Sequence, residues 1–244
     1  MLVTSALPHE LAPFIRRLHD IYHPMAKNNN LLHGLLEKGN DSCEVHILFT
    51  GVGERAAAKS LLDALPVVKK TPLLISGTAG ALTEKGRVGD IFIASNYGDP
   101  LFQRQLALIV NQAAAPEIKV WHEPLFTAGE PVVGRGNKAQ LNNESGAFAV
   151  DMESTSLTAI AEKKGYPAAV LRVISDTLED KIPPLNENIF DETGFPSRLR
   201  LAAYLLGHPL AVPQMITFSH RSHRACHVMA EVLEKIIWQL DEER

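Results

Sequence analysis

Cysteine is scarce in this chain: 244 residues contain two, Cys43 and Cys226. They are far apart and form neither a CxxC pair nor a Cys/His ligand spacing. A disulfide framework or thiolate metal cage is therefore excluded, and reduced structural thiols in a reducing compartment are expected. Excess positive charge is also lacking. Twenty-four basic residues stand against 28 acidic ones, for a net charge of −4, which argues against an extended phosphate-backbone contact and against nucleic acid as a partner. No apolar run is long enough to span a bilayer. Met1 to Leu7 is apolar but has neither a basic leader nor a small-residue cleavage site, so it reads as a first strand rather than a signal peptide. The expected location is cytoplasmic. Internal repeats and low-complexity tracts are absent too, apart from Asn28-Asn29-Asn30, which reads as an exposed turn.

What is present is ordinary globular material, 45% hydrophobic and 21% charged, enough for one α/β domain whose core needs no metal or disulfide to hold it. Apolar strand-like runs at Leu2–Ala6, Glu44–Thr50, Pro72–Ser76, Asp90–Ser95 and Ala168–Ser175 alternate with helical patterns at Glu10–Tyr22, Glu54–Ala64 and Ser154–Lys164. The run at 168–175, AAVLRVIS, is nearly devoid of polar residues, as a strand covered on both faces should be. Beyond Asp176 the pattern changes. Lys181–Asn188 contains Pro183-Pro184 and reads as loop, Phe195–Leu206 regains a helical stripe, and Pro209 to Pro213 breaks the chain before a final helix of roughly 20 residues. The chain is accordingly divided into a core (1–180), an elaborated segment (181–224) and a terminal helix (225–240), within a single domain.

Three features lie where strands should run into loops, the place where open α/β sheets put ligands. Gly77-Thr78-Ala79-Gly80 follows an apolar strand; such small residues let a backbone approach a ligand, and serve equally in a bare tight turn. Val150-Asp151-Met152-Glu153-Ser154 sets two acids at the mouth of a helix. These either face a pocket or complement the helix dipole. In an extended segment Asp151 and Met152 point to opposite sides. Arg172-Val173-Ile174-Ser175-Asp176 ends a hydrophobic strand on a carboxylate, with Ser175 placed to hydrogen-bond it. Asp176 is either a turn cap or a partly desolvated acid with a proton to deliver. Glu10, after Leu7-Pro8-His9, is by itself an ordinary first-turn glutamate.

TGVGERAAA (50–58), SGTAGALTEKGRVGDIFIA (76–94), VDMES (150–154) and RVISDT (172–177) occur in the order and spacing of the nucleoside phosphorylase superfamily. They most resemble the methylthioadenosine/S-adenosylhomocysteine nucleosidases. The resemblance implies a three-layer α/β/α domain around a central mixed, twisted sheet, and an enzyme without cofactor or metal that hydrolyses the N-glycosidic bond of an adenine nucleoside. It makes Asp176 the acid at N7 of the purine, Glu153 the carboxylate that grips a ribose hydroxyl, and Met152 the residue packed beside the sugar. Glu10 falls on the glutamate that activates water. Thr78, Ala79, Gly80 and Ser175 line the site, and Val132-Val133 contact the base through their backbone. The chemistry is coherent, because cleaving a C–N glycosidic bond builds positive charge on the ribose and negative charge on the base.

Phosphorolytic relatives carry a Gly-Asp-Pro phosphate loop with arginines nearby. Here the corresponding loop is Leu7-Pro8-His9-Glu10, and Ile75 stands where those relatives place an arginine. A phosphate dianion needs positive charge or amide donors, so water is the expected nucleophile, with Arg16, Arg17 and Arg55 as the cations that phosphate would have to recruit. The tail from Glu187 to Leu233 is similar to that of hopanoid-associated nucleosidases, which act on adenosylhopane. The futalosine hydrolases are another relative with a comparable core. Leu199, Leu201, Ala202, Leu205 and Leu206 form a stripe suited to an apolar entrance, a core face or a subunit interface. His220, His223 and His227 share a helix face without a carboxylate, which favours a solvated surface over a metal site. The alternatives are a phosphate-dependent purine nucleoside phosphorylase and a non-catalytic nucleoside-binding module; a homodimer is expected from the family resemblance.

Overall fold

The computed structural model describes residues 1–24, 30–180, 189, 191, 193–209 and 211–242. The order of elements is β1 (Leu2–Ser5), α1 (Pro8–Ile15), β2 (Leu18–Tyr22), β3 (Leu31–Lys38), β4 (Asp41–Phe49), α2 (Glu54–Ala64), β5 (Leu73–Ile75), β6 (Thr78–Ala81) and β7 (Ile91–Gly98). Then come α3 (Pro100–Ala113), β8 (Val120–Glu123), β9 (Leu125–Thr127), α4 (Arg135–Ser145), β10 (Ala149–Asp151), α5 (Ser154–Lys164), β11 (Ala168–Asp176), α6 (Arg198–Gly207) and α7 (Ala211–Glu242). The main sheet runs β2-β3-β4-β1-β5-β11-β6-β10-β9, and β7 pairs with both β11 and β8. Its centre is parallel (β4-β1-β5-β11-β6), while β7 lies antiparallel to β11 and the β2-β3-β4 edge is an antiparallel meander.

The three layers follow from alternation along the strands. Ala169, Leu171 and Val173 of β11 face one cluster with Leu11 and Phe14 of α1, Leu106 of α3 and Met229 and Leu233 of α7. Ala168, Val170 and Ile174 face the opposite cluster, with Ala57 and Leu61 of α2 and Leu157 and Ala161 of α5. Arg172 occupies an even position in this series, on the α2/α5 side, and is nevertheless buried. A guanidinium there must be fully partnered, and its partners form the site.

Two expectations need correction. The pattern at Glu10–Tyr22 is not one helix: α1 ends at Ile15, and Leu18–Tyr22 turns back as an edge strand antiparallel to β3. The period of Leu18, Ile21 and Tyr22 is local, whereas the pairing with β3 is tertiary and prevails. The last helix begins at Ala211 and spans 32 residues, so it includes Pro213 and starts well before 225. Proline is tolerated in a first helical turn because the N–H it lacks would have no intrahelical acceptor there. The loop expected at Lys181–Asn188 lies outside the described residues, as do Asn28 and Asn29 of the expected turn.

Candidate functional site

A cavity of about 250 Å³ opens at the carboxyl ends of β1, β10 and β11, beside β6. It is lined by Glu10, Thr78, Ala79, Gly80, Val132, Val133, Met152, Glu153, Ser175 and Asp176, so the residues that the resemblance assigned to the site converge there. Ala6, Leu7, His9, Val52, Glu130, Pro131, Val150, Asp151, Phe218 and Ser222 complete the wall.

Glu10 is delivered by the sharp turn between β1 and α1 and is buried. Its Oε2 accepts from the Ser5 hydroxyl (2.7 Å) and the Leu7 amide (3.0 Å). Its Oε1 accepts from both the amide (2.9 Å) and the hydroxyl (2.8 Å) of Thr78. Burial alone pushes this carboxyl upward. The bonds from Ser5, Leu7 and Thr78, with the charge of His9, outweigh it and hold Glu10 below the ordinary glutamate value, so it is anionic at neutral pH. Gly77 makes the approach possible: a Cβ on it would sit 2.5 Å from Arg172 Nη1 and 3.3 Å from Glu10 Oε1, and its φ of +142° is one that side-chain-bearing residues avoid.

Glu153 precedes α5 but makes no side-chain cap to that helix. Its Oε1 instead accepts from the Gly53 amide at 2.9 Å, and its Oε2 lies 3.8 Å from Arg172. Asp151 turns toward the same arginine: it accepts from Arg172, from Ser154 Oγ (2.5 Å) and from Thr127 Oγ1 (2.8 Å). Arg172 also donates to the Ser76 carbonyl (2.9 Å) and Ser154 Oγ (3.0 Å), tying β5, β10 and α5 to β11. Burial and the neighbouring Asp151 push Glu153 up to about 7, against the opposing pull of Arg172 and the Gly53 amide. The site therefore holds one carboxylate kept anionic and another that titrates near neutrality.

Asp176 closes the cavity from β11. A register shift in the β11–β6 ladder between Ile174 and Asp176 sets it opposite Gly80, where a Cβ would meet Asp176 Oδ2 at 2.8 Å. The Ser175 hydroxyl donates to Oδ1 at 2.8 Å, as its position suggested. Lys138 Nζ donates to Oδ2 at 2.5 Å and to the Thr177 carbonyl at 2.7 Å. Asp176 is thus neither a simple turn cap nor a carboxyl isolated in apolar surroundings; it is a buried acid opposite a buried ammonium.

Sequence reasoning missed Lys138, gave Arg172 no role of its own, and left Asp151 between a pocket and the helix dipole; the structure turns Asp151 to Arg172 at the cavity wall. The signal for Arg172 was its presence in an otherwise apolar central strand, where an unpartnered guanidinium is prohibitive. For Lys138 the hydrophobic pattern offers nothing, since it is the one buried residue of α4.

None of the cations held in reserve for phosphate reaches the wall. Arg17 pairs with Glu234, Arg16 and Arg55 are exposed, and Ile75 is wholly buried. No Lys or Arg is among the described lining residues. From the C-terminal segment the cavity receives Phe218 and Ser222 rather than the stripe of α6, whose Leu199 and Leu206 remain exposed. His220, His223 and His227 are exposed on α7, and no group of three metal-capable side chains exists among the described residues.

Residues 98–205 match the sequence model of the Phosphorylase superfamily. The chain is 23% identical over 202 residues to the aminodeoxyfutalosine nucleosidase of Helicobacter pylori strain J99, a match covering 73% of this chain and 86% of that one. Among solved structures it resembles the 5′-methylthioadenosine/S-adenosylhomocysteine nucleosidase of Neisseria meningitidis in complex with methylthio-immucillin-A, with a TM-score of 0.72, 13% identity and 98% of both chains covered. It also resembles the native futalosine hydrolase of Helicobacter pylori strain 26695, with a TM-score of 0.67, 16% identity, and 98% of this chain and 97% of that one covered. The fold, expected from four short motifs, is that of these nucleosidases, and the stretch that matches the Phosphorylase superfamily runs from the end of β7 through β11 into α6.

Proposed function

We propose that the chain is a purine nucleosidase that uses water to cleave the N-glycosidic bond of an adenine nucleoside. The observation that carries this reading is Glu10: a buried carboxylate, held anionic by four hydrogen bonds, in a cavity whose described lining residues include no Lys or Arg. Such a group takes a proton from water and repels a phosphate dianion. Glu153, next to the sugar, stabilises the positive charge that develops on the ribose. Asp176, at the base, meets the negative charge that develops on the purine, and Ser175 orients it. Met152 packs beside the sugar, Thr78, Ala79 and Gly80 form the floor, and Val132-Val133 hold the base. A binding module without turnover would need no such division of carboxylates.

Substrates of the methylthioadenosine and S-adenosylhomocysteine type, or the aminodeoxyfutalosine named for its relatives, fit the reading, with Val52 and Phe218 offering apolar surface for the 5′-substituent. A cytoplasmic homodimer belongs to the same proposal; the two buried free cysteines accord with a reducing compartment. Among the described residues no helix is long and apolar enough to cross a membrane.

The test follows release of free adenine from methylthioadenosine, S-adenosylhomocysteine, adenosine and aminodeoxyfutalosine, with and without phosphate. Phosphate-independent release is expected, and Asp176→Asn should lower turnover by about 10²- to 10⁴-fold while retaining nucleoside binding. Release that requires phosphate and yields ribose 1-phosphate would overturn the hydrolytic assignment.

A further inference from the structure

Lys138 is the least expected buried group in the molecule. It lies on α4, a helix with few apolar residues, and its side chain is wholly inaccessible. Desolvating an ammonium this completely is costly unless its donors are satisfied. Two contacts take two of its three N–H donors, Asp176 Oδ2 at 2.5 Å and the Thr177 carbonyl at 2.7 Å, and the first also supplies the opposite charge. Lys138 does not line the cavity, whereas Asp176 does, so the ammonium stands directly behind the group that faces the leaving base.

This arrangement bears on where the leaving base obtains its proton. A purine departing from ribose must gain a proton to leave as a neutral molecule, and a carboxylate paired with an ammonium has none of its own to give. The nearest polar hydrogen on Asp176 Oδ2 belongs to Lys138. Resting on the nucleosidase reading, we infer that Lys138 supplies, through Asp176, the proton taken by the leaving purine. As the C–N bond breaks, its electron pair moves into the base. One proton passes from Lys138 Nζ to the Asp176 carboxylate and on to the purine nitrogen, leaving Lys138 as a neutral amine and Asp176 again as a carboxylate. The attacking water adds its hydroxyl to the anomeric carbon and gives its proton to Glu10. Exchange with solvent after product release returns one proton to Lys138 and removes one from Glu10. Lys138 acts through Asp176 and touches no substrate, so it is a positioning and proton-supplying residue rather than a catalytic one in the strict sense.

The decisive experiment compares adenosine with 4-nitrophenyl β-ribofuranoside, whose leaving group departs without protonation. The parent, Lys138→Met, Lys138→Arg and the double variant Lys138→Met/Asp176→Asn are assayed on both. Lys138→Met is expected to lower kcat on adenosine by about 10²-fold or more with KM changed only a few-fold, while the nitrophenyl riboside is cleaved at close to the parental rate. Lys138→Arg, which keeps the charge but does not release its proton, should fail to restore turnover on adenosine. The double variant removes both buried charges together, and its circular dichroism and thermal melting, compared with those of Lys138→Met, report whether the single variant's loss comes from unfolding around an unpaired Asp176. Equal losses on both substrates, or full rescue by arginine, would reduce Lys138 to a structural ion-pair partner and overturn the inference. An unaffected Lys138→Met would overturn it as well, leaving the nucleosidase reading intact. A parent inactive on every riboside would instead sink the nucleosidase reading, and this inference with it.

Discussion

Glu153→Gln should make the protein more stable at alkaline pH and less active, and the size of the stability gain follows from the site. The carboxyl is buried beside Asp151, and its proton affinity in the fold rises from the ordinary 4.5 to about 7. That difference corresponds to roughly 3 kcal/mol of destabilisation by the charged form. The folded state binds this proton more tightly than the unfolded chain does. The group's contribution to stability is therefore most favourable below pH 4.5, falls as pH rises to about 7, and is constant above. Glutamine keeps an oxygen for the Gly53 amide and removes the charge, while Arg172 retains Asp151 and Ser154 as partners. Urea or thermal unfolding of parent and variant across pH 4 to 8 should show the variant gaining on the parent by up to roughly 3 kcal/mol, about 5–10 °C in Tm, with the gain complete near pH 8. Parental kcat/KM should move the other way, rising through about pH 7 as Glu153 ionises and can support a cationic ribose. Parallel stability profiles for the two proteins, or a variant less stable than the parent at pH 8, would refute the account of Glu153 as a carboxylate held in the site against its preference.

Gly80→Ala places a Cβ 2.8 Å from Asp176 Oδ2, so the carboxyl must shift; turnover on adenine nucleosides is expected to fall about 10²-fold with the fold retained by circular dichroism. His46, half-buried on β4, is pushed down to about 4 by burial, then by His33 and the chain's amino terminus. Its ring should stay neutral in NMR titrations until near pH 4. The stability it contributes is present above the ordinary histidine value of 6.5 and is lost as pH falls from there toward 4.

The parts of the fold legible in the sequence are those whose signal is local. The helix boundaries Glu54–Ala64 and Ser154–Lys164 are found as expected, and the apolar run at 168–175 is the central strand. Residues 18–22 mislead because their exposed strand exists only by pairing with β3. α4 is silent for a different reason: RGNKAQLNNES has no apolar stripe, since the helix is held in part by an ion pair under the sheet's end and by Arg135 bridging Glu84 and Glu179 at the surface. The site divides in the same way. Glu153 and Asp176 stand in motifs that can be recognised, and Arg172 opens the same motif that ends near Asp176, but Lys138, the cation that holds Asp176, comes from a position with no motif of its own. A carboxylate advertises itself at a strand end; its counter-ion is fixed only by the three-dimensional fold.

That division explains how one cavity holds Glu10, Asp151, Glu153 and Asp176 without dispersing. At about 4 Å and the effective dielectric of a partly buried site, like charges repel by roughly 4 kcal/mol per pair, so four uncompensated anions would not stay together. Arg172 serves Asp151 closely and Glu153 at 3.8 Å, Lys138 serves Asp176, and Glu10 is neutralised by no cation within hydrogen-bond reach but by dipoles from Ser5, Leu7 and Thr78. Both cations lie behind the carboxylates they serve. An entering ligand meets the anionic side of the site, which suits a sugar becoming cationic and a water becoming hydroxide, and opposes a phosphate dianion. On the proposed nucleosidase reading, the choice of nucleophile is built into which side of each ion pair faces the cavity, more than into the presence or absence of any single arginine.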